Sequence, residues 1–348
     1  MNVNFFSLLL LFLLVSCKKE SVQTPAEAVR ISKNVQIEEN SAELKLTSNQ
    51  FSYTFSKTDL PFKKTVVLNA SLIGYFTALN AEDRIAGVSS PEYIYSEKVK
   101  NLIGQQIIQN VGNEQKYNVE KILALKPDAV FTNYISAFEN TYDVLNRNGI
   151  RVIFLNEFME QNPLEKSAYL ILFGKLLGKE TLAEEEFIKI SQNYKQIRET
   201  ALNSKQIPKV ISNEMYGNQW FMPGGKTQLA HFIKDANADY ILKENPDEKA
   251  VPLSFEEVLA KSKEADFWVN AGNHSSRKSL LTVNPNYQKL NVFQNGKIYA
   301  LTAKESGKSN DFFESGVVRA DLVLKDYVKI FHPELMPDYE LSYLEELK

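Results

Sequence analysis

The segment Asn118-Val-Glu-Lys-Ile-Leu-Ala-Leu-Lys-Pro-Asp-Ala-Val-Phe131 has the pattern of a short helix that leads into a buried strand. Asn118 can cap the helix, Pro127 ends it, and the apolar run that follows suits a buried strand. The segment Ser254-Phe-Glu-Glu-Val-Leu-Ala-Lys-Ser-Lys-Glu-Ala-Asp-Phe267 repeats this design, with Glu256 at the position of Glu120. The repetition predicts two similar lobes, and a cleft between two lobes is a common place for a ligand.

Short apolar runs alternate with helical stretches on both sides of these two segments. We predict a β-hairpin at 42–56 and strands at 64–69, 84–89, 129–132, 150–155, 209–212, 265–269 and 296–301. We predict helices at 73–79, 119–125, 138–148, 227–236, 255–262 and 317–331. Strands that alternate with helices form a mainly parallel sheet covered on both faces, which predicts an α/β fold with two Rossmann-like lobes.

A long helical stretch without a strand signal separates the two halves. From Pro163 to about Ser204 apolar residues recur at helical spacing, and Gly178 can put a break or kink into the stretch. A helix of about 25 residues is about 38 Å long, which is enough to join two lobes. We therefore expect an N-terminal lobe (41–160), a connecting helix (161–205) and a C-terminal lobe with its tail (206–348).

The N-terminus indicates export and lipid attachment. The apolar run Phe5–Val15 is too short to span a bilayer but suits the core of a signal peptide, although no Lys or Arg precedes it. It leads to Leu14-Val15-Ser16-Cys17, which resembles a bacterial lipobox. Cys17 is the single Cys of the sequence, which excludes an intramolecular disulfide and a Cys-based metal site but suits acyl attachment. The alternative is a chance Cys at the end of an ordinary signal peptide. We predict a lipoprotein signal peptide (1–17) and a flexible tether (18–40).

The charge of the chain bears on its partners. The 348 residues carry a net charge of −3, with both signs interspersed along the sequence. Nothing in this pattern indicates binding to nucleic acid. We expect a monomer without nucleic-acid partners.

Glu120 and Glu256 have two interpretations at this point. A Glu in the first turn of a helix is stabilised by the helix dipole, by about 0.3–1 kcal/mol, and Ser254 with Glu257 has the pattern of a capping box. Alternatively, the two carboxylates form a matched pair that binds Arg residues of a two-subunit partner.

The segment Val119–Phe131, followed in order by four others, resembles the periplasmic binding proteins of iron-complex and cobalamin ABC transporters. The others are Phe173–Lys179, Ala250–Leu259, Phe293–Tyr299 and Asp321–Pro333. The resemblance covers Val66 to Pro333 and implies a class III binding protein of the helical-backbone metal receptor type, with two lobes on one long rigid helix. It implies a lipid-anchored protein of the bacterial cell envelope, periplasmic, that captures a ferric siderophore, haem or cobalamin and delivers it to an ABC permease dimer, without catalysis.

The resemblance also implies roles for particular residues. A glutamate on each lobe docks on the permease in this family, and these positions match Glu120 and Glu256, with Glu257 as the alternative for the second. Ligand contacts come from loops after strands at the lobe interface. In this chain those loops hold Ser71, Tyr93, Tyr95, Tyr134, Tyr216, Trp220, Phe221, Asn310, Phe312 and Phe313. Aromatic rings suit a flat macrocycle or a catechol.

Positive side chains are candidates to meet ligand carboxylates or an anionic iron complex, and these are Arg277, Lys304 and Arg319. The three histidines, His231, His274 and His332, are far apart and show no metal-ligand spacing, so we do not expect a bare Zn²⁺ or Mn²⁺ ion as cargo. We also expect no metal site and no cofactor.

Two other function classes stay open. An anchored two-lobed envelope enzyme, a hydrolase or transferase, would show a convergent acid–base group in the cleft. An anchored sensor or scaffold would have a cleft filled by side chains, whereas an aromatic cleft without an acid–base group would favour ligand capture.

Overall fold

The computed structural model describes residues 27–348. The predicted signal peptide (1–17), its lipidation site Cys17 and the first part of the predicted tether (18–26) lie outside the described residues. Within residues 27–348 no helix combines the length and the apolar character that a membrane crossing requires.

A four-stranded antiparallel sheet precedes the first lobe. Its strands lie in the order of the sequence: β1 (Glu27–Arg30), β2 (Val35–Glu39), β3 (Glu43–Ser48) and β4 (Phe51–Ser56). The hairpin predicted at 42–56 is thus confirmed. The tether predicted over 18–40 is wrong for residues 27–39, which form β1 and β2. Val35 and Ile37, on one face of β2, are buried in the same core as Leu44 and Leu46 of β3.

The N-terminal lobe contains a five-stranded parallel sheet of order β11-β10-β5-β6-β7. Its elements are β5 (Thr65–Val67), α1 (Ala70–Ala78), β6 (Ile85–Val88), α2 (Glu97–Gly104), β7 (Gln109–Asn110), β8 (Gly112–Asn113), β9 (Lys116–Tyr117), α3 (Val119–Leu125), β10 (Ala129–Thr132), α4 (Glu139–Arg147) and β11 (Arg151–Phe154). Its parallel strands read as continuous buried runs, as expected for a sheet covered on both faces.

The connecting stretch is three helices: α5 (Pro163–Ser167), α6 (Tyr169–Leu177) and α7 (Glu180–Ala201). Gly178 ends α6 in the left-handed conformation, at φ 70°, which is the predicted break. The 22 residues of α7 extend about 33 Å. Ile190 packs in the core of the N-terminal lobe and Tyr194 in that of the C-terminal lobe, so α7 joins the two lobes.

The C-terminal lobe contains a second sheet of order β15-β12-β17-β18-β21, parallel except for β21. Its elements are β12 (Lys209–Ser212), β13 (Met215–Tyr216), β14 (Gln219–Pro223), α8 (Gln228–Asp235), β15 (Asp239–Tyr240), β16 (Ala250–Leu253), α9 (Phe255–Lys261), β17 (Phe267–Val269), α10 (Arg277–Val283), α11 (Asn291–Asn295), β18 (Lys297–Ala300), β19 (Glu305–Ser306), β20 (Ser309–Asn310), α12 (Ser315–Val318), α13 (Ala320–Phe331) and β21 (Glu345–Glu346). Strands β13, β14 and β16 form a small antiparallel sheet of their own.

The chain returns to the N-terminal lobe after β18. The single closing helix predicted at 317–331 is interrupted at Arg319, which separates α12 from α13. Val318 of α12 packs in the core of the N-terminal lobe. Gly74 of α1 permits this approach, because a Cβ there would lie 2.2 Å from the carbonyl oxygen of Glu314. We call residues 314–318 the strap, since they tie the second lobe to the first.

Candidate ligand-binding cleft

Each lobe has one point at which its strand order reverses. This point lies between β5 and β10 in the N-terminal lobe and between β12 and β17 in the C-terminal lobe. In open α/β sheets, ligands bind outside the carboxyl ends of the strands at such points. The segments that follow these strands therefore form the candidate site.

A hydrogen-bonded group of side chains lies at this point in the N-terminal lobe. Asn69 follows β5, Asn133 follows β10 and Glu157 follows β11. The Ser71 hydroxyl donates to Glu157 Oε1 at 2.6 Å, and Asn133 Nδ2 donates to Glu157 Oε2 at 3.0 Å. Asn69 Nδ2 donates to Asn133 Oδ1. Glu157 is buried, so these donors compensate for a carboxylate removed from water.

The corresponding point of the C-terminal lobe carries a carboxylate–imidazole pair. His274, which follows β17, places Nε2 2.6 Å from Glu214 Oε2, which follows β12. Gly272 is required beside them, because it has φ 68° and its Cβ would lie 2.1 Å from Glu214 Oε1. This pair has no local signal in the sequence, because His274 and Glu214 are 60 residues apart, and it was not predicted. Within residues 27–348 no group of three or more His, Cys, Asp and Glu side chains is arranged to hold a metal ion.

Large apolar side chains are exposed in the segments that follow the strands of both lobes. Of the 13 exposed in residues 27–348, seven lie between a parallel strand and the next α-helix: Tyr93, Ile135, Phe158, Met159, Tyr216, Phe221 and Phe313. Exposed apolar side chains can mark an interaction site, and ligands of open α/β sheets bind beside such segments. Tyr93, Tyr216, Phe221 and Phe313 were predicted. Ile135, Phe158 and Met159 were not predicted, although each lies three or four residues after the end of a predicted strand.

Three further candidates are partly buried. Tyr134 packs its ring against Phe51 and Phe154, at centroid distances of 5.2 Å in both cases. The ring of Tyr95 lies 5.4 Å from the Lys100 ammonium. Ser71 belongs to the hydrogen-bonded group around Glu157 described above.

Trp220 is not available to a ligand. It is fully buried, packs on Trp268 and Tyr287 at 5.2 and 5.3 Å, and donates from Nε1 to the Ser212 carbonyl at 2.9 Å. The prediction that Trp220 contacts ligand is therefore wrong. Side chains alternate along β14, so Phe221 faces outward where Trp220 faces the core.

Two other candidates serve the local structure. Asn310 is buried, accepts from Phe312 N at 2.9 Å and donates to the Leu301 carbonyl, so its ligand role is wrong. Arg319 forms a two-pronged ion pair with buried Asp321, with both N–O distances 2.8 Å, so its charge is already paired within the protein.

The remaining late candidates are also engaged with the protein. Phe312 packs on Phe313 and on Tyr343 of the C-terminal lobe. Arg277 donates to three backbone carbonyls, those of Leu347, Phe293 and Gly296. Lys304 pairs with Asp311 at 3.2 Å.

The strap also forms hydrogen bonds with the N-terminal lobe. Tyr95 N donates to Glu314 Oε2 at 2.7 Å, and Ser96 N donates to Oε1 at 3.1 Å. Burial raises the pKa of Glu314 to about 7, and the negative charge of Asp311 adds to this rise. The hydrogen bonds from Tyr95 N and Ser96 N and the positive charge of Lys100 lower the pKa and so oppose the rise. The contact therefore joins the lobes through a carboxyl that titrates near neutral pH.

Other contacts join the lobes beside α5. The Lys166 ammonium donates to Gln228 Oε1 at 3.2 Å, and His231 Nδ1 lies 2.7 Å from the Gln161 carbonyl oxygen. Burial lowers the pKa of Lys166, and the nearby Glu157 opposes the effect. The lobes are thus in contact both at the strap and at α5.

The two helices of the sequence repeat have matching N-termini. Asn118 accepts from Lys121 N at 2.9 Å and Ser254 accepts from Glu257 N at 3.2 Å, which puts Glu120 and Glu256 at the second helical position of α3 and α9. Glu257 completes the predicted capping box by accepting from Ser254 N at 2.8 Å.

Glu120 and Glu256 themselves are exposed, and neither side chain makes a hydrogen bond or ion pair within the described chain. Each helix precedes a parallel strand and runs antiparallel to it. Its N-terminus therefore lies at the carboxyl ends of the strands, the same edge of the sheet as the candidate site.

Comparison with known proteins agrees with this architecture. Residues 66–305 match the sequence model of the family described as periplasmic binding protein. An uncharacterized lipoprotein of Methanocaldococcus jannaschii is 24% identical over 291 residues, which are 80% of this chain and 67% of that protein.

Solved structures share the fold at low sequence identity. A periplasmic binding protein from Veillonella parvula superposes with a TM-score of 0.65 at 16% identity, covering 84% of this chain and 98% of that one. A periplasmic haem-binding protein from Pseudomonas aeruginosa superposes with a TM-score of 0.60 at 20% identity, covering 82% and 98%.

Proposed function

The chain belongs to the periplasmic binding protein family, and we propose that it captures haem or a ferric siderophore between its lobes and delivers it to the permease of an ABC importer. The family consists of substrate-binding transport components, not enzymes, so the alternative of an anchored hydrolase or transferase is wrong. The identity of the ligand, haem or a ferric siderophore, is what we propose.

The observation that carries this proposal is the set of exposed apolar side chains that follow strands at or beside the two switch points. Tyr93, Phe158, Tyr216 and Phe221 are 39–83% exposed, and ligands of open α/β sheets bind outside the carboxyl ends of such strands. Rings of this size give large contact area to a flat macrocycle or to an apolar metal complex. The structural resemblance to a haem-binding protein supports the same ligand class.

The test is a binding screen with ferric haem, cyanocobalamin and ferric desferrioxamine, followed by fluorescence quenching and thermal unfolding. A ligand present at 100 times its Kd raises the free energy of unfolding by about 2.7 kcal/mol. We expect a clear response to haem or to the ferric chelate. A response to cyanocobalamin alone would replace the proposed ligand, and no response to any of the three would overturn the proposal.

A matched pair of variants locates the site. Tyr216→Ala should weaken binding about tenfold, which is the effect of one large aromatic contact. Leu202→Ala removes an apolar side chain of similar exposure at the far end of α7 and should leave Kd unchanged. Equal losses in both variants would speak against this location.

We also propose that Glu120 and Glu256 dock on the permease. Their equivalent positions, exposure and lack of intramolecular partners support this role, and the involvement of Glu257 in the helix cap favours Glu256 over Glu257. Changing both to Ala should abolish uptake and leave ligand affinity intact. Glu139→Ala, in the first turn of α4, is the control and should transport normally. Loss of affinity in the double variant would contradict a docking role.

Attachment to the membrane through Cys17 completes the proposal. The lipobox-like sequence before Cys17 supports it, and so does the lipoprotein name of the Methanocaldococcus relative. Cys17→Ser should release the protein from the membrane fraction and abolish incorporation of labelled fatty acid. Continued labelling of the variant would disprove this attachment point.

A further inference from the structure

The N-terminal sheet β1–β4 lies before the part of the chain that matches the family model, which begins at residue 66. Its buried side chains nevertheless join the core of the N-terminal lobe, as Ile37, Leu46 and Phe55 show. Two of its turns, that between β1 and β2 and that between β3 and β4, also contact segments that follow strands of the candidate site.

The turn between β3 and β4 leads directly into an aromatic cluster. Phe51 packs on Tyr134 at 5.2 Å and on Phe154 at 4.5 Å, and Tyr134 packs on Phe154 at 5.2 Å. The hydroxyl of Tyr53 accepts a hydrogen bond from Phe154 N at 2.8 Å, which fixes β4 beside the edge strand β11. Phe51 therefore holds one side of the Tyr134 ring, the candidate contact that follows β10.

The turn between β1 and β2 contacts the loop after β11. The Ser32 hydroxyl donates to Glu160 Oε1 at 2.6 Å, and Asn34 Nδ2 donates to Glu160 Oε2 at 3.2 Å. Glu160 is buried and directly follows the exposed pair Phe158 and Met159. The same turn also reaches the C-terminal lobe, since Lys33 Nζ lies 3.2 Å from Glu248 Oε1.

We propose that the N-terminal sheet is a part of the ligand-binding site, with Phe51 as the positioning residue for Tyr134 and Ser32 as the positioning residue for the Phe158–Met159 loop. This inference rests on the proposed ligand-capture function. An aromatic ring contributes most to binding when its orientation is fixed before the ligand arrives, because less side-chain freedom is then lost. The sheet fixes Tyr134 by packing and fixes the loop by hydrogen bonds to Glu160.

The experiment measures Kd for ferric haem and ferric desferrioxamine in Phe51 variants of the full chain. Phe51→Ala should weaken binding about five- to tenfold through the loss of an ordered aromatic contact. Phe51→Tyr keeps the ring and should bind like the wild type. Phe51→Leu keeps most of the apolar volume in case the alanine variant folds poorly, and it should lie between the two.

Tyr53→Phe is the matched control on the same strand. This substitution removes the hydrogen bond from Phe154 N and keeps the contact between Phe51 and Tyr134. It should therefore lower the free energy of unfolding without changing Kd. Wild-type affinity in Phe51→Ala, or an equal loss of affinity in Tyr53→Phe, would overturn the inference while leaving ligand capture intact. A wild-type protein that binds neither probe would overturn the proposed function, and this inference with it.

Discussion

Glu314→Gln should make the protein more stable at alkaline pH. Glu314 is 3% exposed, and burial raises the pKa of its carboxyl from the ordinary value of 4.5 to about 7. The native state therefore binds this proton more tightly than the unfolded state, so the free energy of unfolding falls as pH rises from about 4.5 to about 7 and is then constant. At about 1.4 kcal/mol per pKa unit, ionisation of Glu314 lowers that free energy by about 3 kcal/mol.

The Gln variant removes the ionisation and keeps one acceptor oxygen for Tyr95 N. Its amide nitrogen cannot accept from Ser96 N as Oε1 does, which costs about 1 kcal/mol. We therefore expect Glu314→Gln to exceed the wild type by about 2 kcal/mol at pH 8 and to fall about 1 kcal/mol below it at pH 4, where the wild-type carboxyl is protonated.

Urea unfolding at half-unit steps between pH 4 and pH 9 measures both quantities. Glu314→Ala should share the flatter pH profile but be less stable than Glu314→Gln throughout, because it lacks the acceptor. A wild-type pH profile in Glu314→Gln, or lower stability than the wild type at pH 8, would show that ionisation of Glu314 does not lower the stability of the native state.

Three further variants test the packing described above. Gly74→Ala places a Cβ 2.2 Å from the Glu314 carbonyl oxygen and should lower the free energy of unfolding by about 2 kcal/mol, measured in urea; unchanged stability would show that the strap moves freely. Ser254→Ala removes the cap of α9 and should lower it by about 1 kcal/mol in the same assay, whereas a neutral result would contradict the capping geometry. Trp220→Phe loses the hydrogen bond to Ser212 and some buried area, so it should melt earlier yet bind ligand with wild-type Kd; weaker binding would restore Trp220 to the cleft.

The helix–strand units were predictable because their signals are local. Asn118 caps α3 and Lys126-Pro127 ends it, and Ser254 with Glu257 forms the capping box that the sequence spacing indicated. The break at Gly178 followed from the same kind of signal. Each of these features depends on residues within a few positions of one another.

The tether and the strap were not predictable in this way. Residues 27–39 contain five apolar side chains among eight polar or charged ones, without a clear period, so they resemble a polar linker until β3 supplies a hydrogen-bonding partner and a core. The break at Arg319 is not marked by a glycine or proline at that position. Its cause is a long-range contact, because α12 packs on α1 of the other lobe.

Caps, breaks and apolar periodicity act over a few residues, so the sequence alone was enough to predict two α/β lobes joined by a helical stretch. Strand ends are also marked locally, so the segments that follow them, which hold the candidate site, could be predicted. Which side chains these segments expose depends instead on the tertiary fold. Trp220 and Phe221 are neighbours of similar character, and the core on one face of β14 buries the first and leaves the second in water. In the same way, Glu214 meets His274 and Ser96 meets Glu314 only because two sheets and one strap bring distant parts of the chain together.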